Sequence, residues 1–213
     1  EAVIVANSAL REGVLYSMDE RLKNCDTRER TALDLAHRYG IDLVQAERVR
    51  FSALAFLESI SPTWQFSEDE RQILNWAAML HEIGLQIAYS GFHRHGAYIL
   101  ANTALPGFNR EQQKALSVLV GQHRKKIDFE SIPNLRQFSF EQLVRLIRIM
   151  RLACLMHYGR NDLDREQVSL TVYGESLELV FRNQNHSTGS AIILDLIEEQ
   201  KYNEAVGLIL KTS

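Results

Sequence analysis

The stretch "AAMLHEIGLQIAYSGFHRHGAYIL", Ala77 to Leu100, places His81, Glu82, His93 and His95 close together in sequence. His123 follows in "GQHRKK". A His beside a carboxylate at a helix end, with further His on neighbouring helices, is an arrangement that encloses a divalent ion. Imidazole suits transition metals, and the carboxylate holds a second ion or orients a water. Such ligands must be deprotonated and must converge on one cleft. The competing reading makes each His a hydrogen-bonded helix-end residue or a cation for phosphate. The elements around the stretch decide where these side chains can meet.

Those elements are helices. In "FSEDERQILNWAAMLHEIG", Ser67 stands as N-cap with Glu70 three residues on, a capping-box spacing, and Gly84 lies near the end. Asp26 and Glu29 repeat the spacing in "CDTRERTALDLAHRYG", which Gly40 stops. Asp42 caps "LVQAERVRFSALAFLESISP", whose apolar face includes Leu43, Ala46, Val49 and Ala53 and which Pro62 is expected to end. "FHRHGAYILANTAL" predicts another helix before a turn at Pro106-Gly107. Asn109 starts the next, and Ser139 with Gln142 starts "SFEQLVRLIRIMRLACLMHYGR". The last is apolar nearly all round over 143–156 and is therefore expected at the centre or at an interface.

The pattern changes after residue 161. "QVSLTVYGESLELVFRN" alternates over Val168–Tyr173 and Leu177–Phe181 around Gly174-Glu175, which predicts a β-hairpin. "TGSAIILDLIEEQKY" reads as a helix, and Val206 to Leu210 as a third strand. At the other end, "AVIVANSALREG" reads as a strand, a turn and a helix beginning near Ala9. The expected architecture is mostly α: a helical bundle over 13–161 followed by a small α+β lobe over 162–213.

Composition excludes some classes and leaves others open. The 213 residues are 46% hydrophobic and 24% charged, ordinary for a globular chain, and the net charge is −3. Any polyanion site must therefore be local. The cationic residues of 121–160 outnumber the acidic ones, whereas 162–213 is acidic. No apolar run reaches about 18 residues, so no membrane span is indicated. Cys25 and Cys154 are far apart and read as reduced thiols of a cytoplasmic chain. The first residue is Glu1 and the chain opens inside a strand-like run, as in a piece of a longer protein.

"AAMLHEIG" resembles the central motif of the HD superfamily of metal-dependent phosphohydrolases, usually His-Asp-Ile-Gly, and "HRHGAYIL" and "LVGQHR" resemble two further motifs of it. Taken together, "SALREGVLY", "LHEIG", "SGFHRHGAYILANTALPGFNREQQ" and "LVGQHRKK" are similar, in order and spacing, to the C-terminal half of the exopolyphosphatase / guanosine pentaphosphate phosphohydrolase family. The similarity runs from about Ala2 to Arg160 and weakens through the terminal lobe. It implies an HD-like fold that helps bind long polyphosphate and forms a homodimer interface. It also implies that residues 1–12 are the end of a truncated actin-like domain and a hinge, and that the catalytic carboxylate, the phosphate loops and Mg²⁺ belong to two N-terminal actin-like domains otherwise outside this chain. No catalytic residue and no cofactor are then expected here.

The resemblance also implies a degenerate metal site. Gln45 stands where an early His is required, Glu82 replaces Asp beside His81, and the late acid falls near Cys154. A neutral amide is a poor ligand for a divalent transition metal, so no metal is expected; His81 would make structural hydrogen bonds and Glu82 would pair with a cation. The candidate substrate-binding residues are His93, Arg94, His95, His123, Arg124, Lys125 and Lys126, at helix ends, where the resemblance is densest. Arg145, Arg148 and Arg151 recur every three residues as a second basic row or a solvated face. Two rivals remain: an autonomous HD-type metal-dependent phosphohydrolase acting on a nucleotide, and a purely structural dimerisation module.

Overall fold

The computed structural model describes residues 26–160, 168–174, 176–181, 196–202 and 210–212. The expected strand and helix of the first twelve residues, and Cys25, lie outside them. Within them run six helices of a bundle: α1 (Thr27–Arg38), α2 (Leu43–Trp64), α3 (Glu68–Leu80), α4 (Phe92–Asn102), α5 (Arg110–Gln122) and α6 (Phe140–Met156). Short 3-10 turns, Ile83–Gln86 and Phe129–Ser131, precede α4 and α6. No helix among the described residues is long and apolar enough to cross a membrane.

Capping fixes where the helices begin. The Ser67/Glu70, Asn109/Gln112 and Ser139/Gln142 boxes form with both reciprocal hydrogen bonds, each satisfying two otherwise orphaned donors. At Asp26 the box does not close. The Asp26 carboxylate accepts from Arg28 N–H, but Glu29 turns away to accept from the Trp76 indole at 2.8 Å. A buried indole N–H needs a partner, and this one outcompetes the local cap.

Pro62 does not end α2, contrary to expectation. The helix continues to Trp64, and Gln65 N–H donates to Ser61 O at 3.0 Å. Packing explains the extra residues. Trp64 is 3% exposed, its indole donates to Gly174 O, and the guanidinium groups of Arg145 and Arg148 lie over its ring. That burial offsets the one backbone hydrogen bond that proline removes.

Helix α6 runs through the middle of the bundle, as its all-round apolar sequence implies: Leu143, Leu146, Ile147, Ile149 and Met150 are fully buried. Each such side chain contributes about 1.5–3 kcal/mol relative to exposure. The basic row on this helix is not a solvated face. Arg148 and Arg151 are each 2% exposed, and Arg145 pairs with Glu141.

The expected hairpin forms, β1 (Val168–Tyr173) antiparallel to β2 (Ser176–Phe181), with Gly174 at the turn in the left-handed region. A third strand, β3 (Leu210–Thr212), pairs parallel to β2 and meets the predicted run at Leu210; Val206 and the rest of that run lie outside the described residues. A helical segment over 196–202, α7, lies between them in sequence. Leu170, Leu177, Leu179 and Leu196 join the bundle's own core cluster, so lobe and bundle share one hydrophobic interior.

Candidate functional site

The ends of α3 and α5 use the same device. His81 is the C-cap of α3 and donates its Nδ1–H to Ala78 O at 2.7 Å; His123 is the C-cap of α5 and donates to Val120 O at 2.6 Å. Each imidazole satisfies a carbonyl that a helix end leaves without a partner. The bond also fixes the tautomer, leaving Nε2 as an acceptor. The two rings meet edge to face, 5.8 Å between centroids, and His93 meets His123 at 6.2 Å.

His93 comes from the first turn of α4, which Gly91 opens in the left-handed region with no side-chain cap. The turn is placed by a close backbone approach. A Cβ on Gly84 would stand 2.0 Å from Phe92 O and 2.5 Å from Gly96 N, and one on Gly96 would meet Val120 and Ile83. The glycines of "HEIG" and "HRHG" are thus the contact that seats the 3-10 turn on α4.

These three histidines are not cations at neutral pH. Burial, first of all, pushes the pKa of His81 down and that of His123 well below the ordinary value. His93 is lowered to about 4 by burial and then by Arg124, Arg94 and Lys125. Those cations are close enough to His93 to oppose its protonation. Arg124 lies over the Phe92 ring at 4.7 Å, Arg94 and Lys125 are exposed, and none of the three pairs with a carboxylate among the described residues. Lys126 is exposed beside them and His95 is half-buried; neither lines the cavity described next.

A cavity of about 480 Å³ opens over His81 and His123. Two arginines hold its walls. On one side Arg151 forms a bidentate pair with Glu199 of α7, Nε to Oε1 at 2.5 Å and Nη2 to Oε2 at 2.7 Å. Two further N–H groups donate to Gln122 O and Lys125 O, both at 2.7 Å. This grip shapes the "HRKK" turn, in which Lys125 sits at φ 64°, a region costly for a side-chain-bearing residue. On the other side Arg160 pairs with Asp42 at 2.6 Å and with Glu82 at 2.9 Å. Sequence reasoning anticipated a cation for Glu82 and structural bonds for His81. It missed Glu199 and Arg160 as wall residues, because both pairings span distant parts of the chain.

The residues in the expected metal positions do not suit an ion. Gln45 is buried, donates its amide to His157 O at 2.7 Å, and its Oε1 has no hydrogen-bond partner among the described residues. Glu82 is committed to Arg160, and burial raises the Cys154 thiol far above its ordinary pKa, holding it protonated. Among the described residues, no three His, Cys, Asp or Glu side chains converge as a metal-holding group.

Comparison with known proteins follows the same lines. The family model described as "Ppx/GppA phosphatase, domain III" matches residues 27–200. The chain is 35% identical over 211 residues to the guanosine-5'-triphosphate,3'-diphosphate pyrophosphatase of Pseudoalteromonas translucida, covering 97% of this chain and 42% of that relative. It is 34% identical over 206 residues to the protein of that name from Aeromonas salmonicida, covering 94% and 42%. It is 40% identical over 163 residues to the one from Aeromonas hydrophila, covering 76% and 33%. The chain thus spans roughly a third to two fifths of the length of the curated relatives it matches. It belongs to the Ppx/GppA phosphatase family, and residues 27–200 match that family's domain III.

Proposed function

We propose that this chain is the polyanion-binding and dimerising region of an exopolyphosphatase or guanosine pentaphosphate phosphohydrolase, and that the chemistry belongs to actin-like domains outside it. The observation that carries the reading is the set of cations Arg94, Arg124 and Lys125 near His93, none of which pairs with a carboxylate among the described residues. Phosphate oxygens take charge-assisted hydrogen bonds from such groups, and a flexible chain of phosphates can use several at once. Lys126 and His95 extend the same surface in sequence. His123, held neutral and bonded to Val120 O, and His93, also held neutral, serve as packing members of it. The reading includes no resident metal in this region, because the ligand positions are filled by an amide, a protonated thiol and an ion-paired carboxylate. The Mg²⁺ of the reaction would act in the catalytic half, in the cytoplasm.

The test is titration with long-chain polyphosphate at two salt concentrations. Affinity is expected to fall log-linearly with salt, and Arg124→Ala with Lys125→Ala to flatten that slope by about two units. Binding that the double variant leaves unchanged would favour the purely structural dimerisation module. About one transition metal per chain, lost in His81→Ala, would favour an autonomous metal-dependent phosphohydrolase. The homodimer is checked by sedimentation.

A further inference from the structure

The cavity over the histidines offers two different chemistries. Its inner wall carries neutral acceptors. His81 and His123 are tied back through Nδ1, so each keeps Nε2 to accept. Gln45, 3% exposed, lines the same cavity, and its Oε1 has no hydrogen-bond partner among the described residues. A buried acceptor without a donor costs free energy until one reaches it. Nearer water stand half-buried Arg124 and exposed Lys125, which pair with no carboxylate among the described residues. The other two arginines of the lining are committed, Arg151 to Glu199 and Arg160 to Asp42 and Glu82. With Glu198 included, the lining holds four cations against three carboxylates, a balance that suits one phosphoryl group and repels a run of them.

We propose that this cavity binds a small phosphorylated polyol, of the sugar-phosphate class, with hydroxyls on the His81, His123 and Gln45 acceptors and its single phosphoryl group on Arg124 and Lys125. A phosphoryl dianion by itself has no proton to give those acceptors. An ammonium donor would lose its water and stand near the Arg160 guanidinium, which already opposes protonation of His81. A hydroxyl donates without bringing a charge into the wall. The His81 and His123 rings are 5.8 Å apart between centroids, so neighbouring hydroxyls on one carbon chain reach both. The volume, about 480 Å³, falls within the range of small-ligand sites. Arg94 and Lys126 do not line the cavity, so a long phosphate chain has cations outside it, and the two ligands overlap only at Arg124 and Lys125. The inference rests on the reading of Arg124 and Lys125 as phosphate-binding and adds a second class of ligand beneath them.

Calorimetric titration of the 213-residue chain with glucose 6-phosphate, glycerol 3-phosphate, glucose and inorganic phosphate tests it. Glucose 6-phosphate is expected to bind at least about tenfold more tightly than inorganic phosphate, the effect of one or two well-made hydrogen bonds. Glycerol 3-phosphate, with fewer hydroxyls, should fall between them, and glucose should bind weakest. In His81→Asn the amide nitrogen stands near the Nδ1 position and keeps the bond to Ala78 O while Nε2 is lost, so the advantage of glucose 6-phosphate over inorganic phosphate should collapse. His123→Asn makes the same change on the other ring and should act in the same direction. In Arg124→Ala the three phosphate-bearing ligands should weaken together. Far-ultraviolet circular dichroism checks that the variants fold. Equal affinity for glucose 6-phosphate and inorganic phosphate in the unaltered chain, or an advantage intact in folded His81→Asn and His123→Asn, would overturn the inference; the first comparison decides even where a variant does not fold. If long-chain polyphosphate still binds with the expected salt slope in that case, the polyanion reading survives. If neither the sugar phosphate nor polyphosphate binds, both fall.

Discussion

The two walls of the histidine cavity are each held by one arginine, yet the arginines work in different media. The Arg151 and Glu199 side chains are 1% and 9% exposed, and two further N–H groups of Arg151 donate to the backbone carbonyls of Gln122 and Lys125. Arg160 is 46% exposed, as is its partner Asp42, while Glu82 is 12% exposed. Water screens the second set and not the first. The difference teaches that two ion pairs of similar length can have very different consequences when one partner is removed. A buried pair matters mostly because each charge is intolerable alone; an exposed pair matters little because water replaces the lost partner.

The largest expected effect is therefore on the inner wall. Arg151→Ala should destabilise the fold by about 3–5 kcal/mol, because it strands the Glu199 carboxylate and two carbonyls. Urea unfolding measures it, and a loss below about 1 kcal/mol would break the comparison. Arg151→Met combined with Glu199→Leu should recover much of the loss, since it removes both charges. Next comes the backbone contact beneath the cavity. Gly84→Ala should cost about 1–3 kcal/mol or more, because its Cβ would collide with the Phe92 carbonyl, a backbone atom that cannot swing aside.

A pH experiment sharpens the contrast further. His93 is uncharged in the folded chain until about pH 4, whereas the unfolded chain takes up the proton near 6.5. The unfolded state then binds more protons between those values, so the stability His93 contributes is full above 6.5 and is lost as pH falls toward 4. The urea midpoint should drop from pH 7 to pH 5, and His93→Gln should drop less. The smallest effect belongs to the outer wall. Arg160→Ala should cost only about 0.2–1 kcal/mol, and raising the salt concentration should shrink even that.

Local chemistry was legible in the sequence where one segment decides the outcome. Ser67 with Glu70, and Ser139 with Gln142, begin helices because cap and box lie within one turn. The alternation around Gly174 gives the hairpin its register. What was illegible turns on a distant partner. Pro62 stops an isolated helix, but Trp64 is held by Gly174 O, 110 residues away. The three-residue recurrence of Arg145, Arg148 and Arg151 identifies one helix face, yet whether that face meets water is set by Trp64 and Glu199. At the cavity, His81, Glu82 and His123 were readable through the motifs they share with a family. The close approach at Gly84 and the Arg160 pairing were not, because spacing carries no information about what a turn will rest against.

The bond between Arg151 and Glu199 joins residues 48 positions apart and sits inside the common core. Its consequence is cooperativity. The bundle cannot keep α6 in its native environment while α7 detaches, because an uncompensated guanidinium would remain in a low-dielectric interior. Bundle and lobe are accordingly expected to melt in a single transition with coincident probes. A shortened chain ending anywhere between residues 160 and 199 would expose this wound, so the C-terminal boundary of a stable unit lies beyond Glu199.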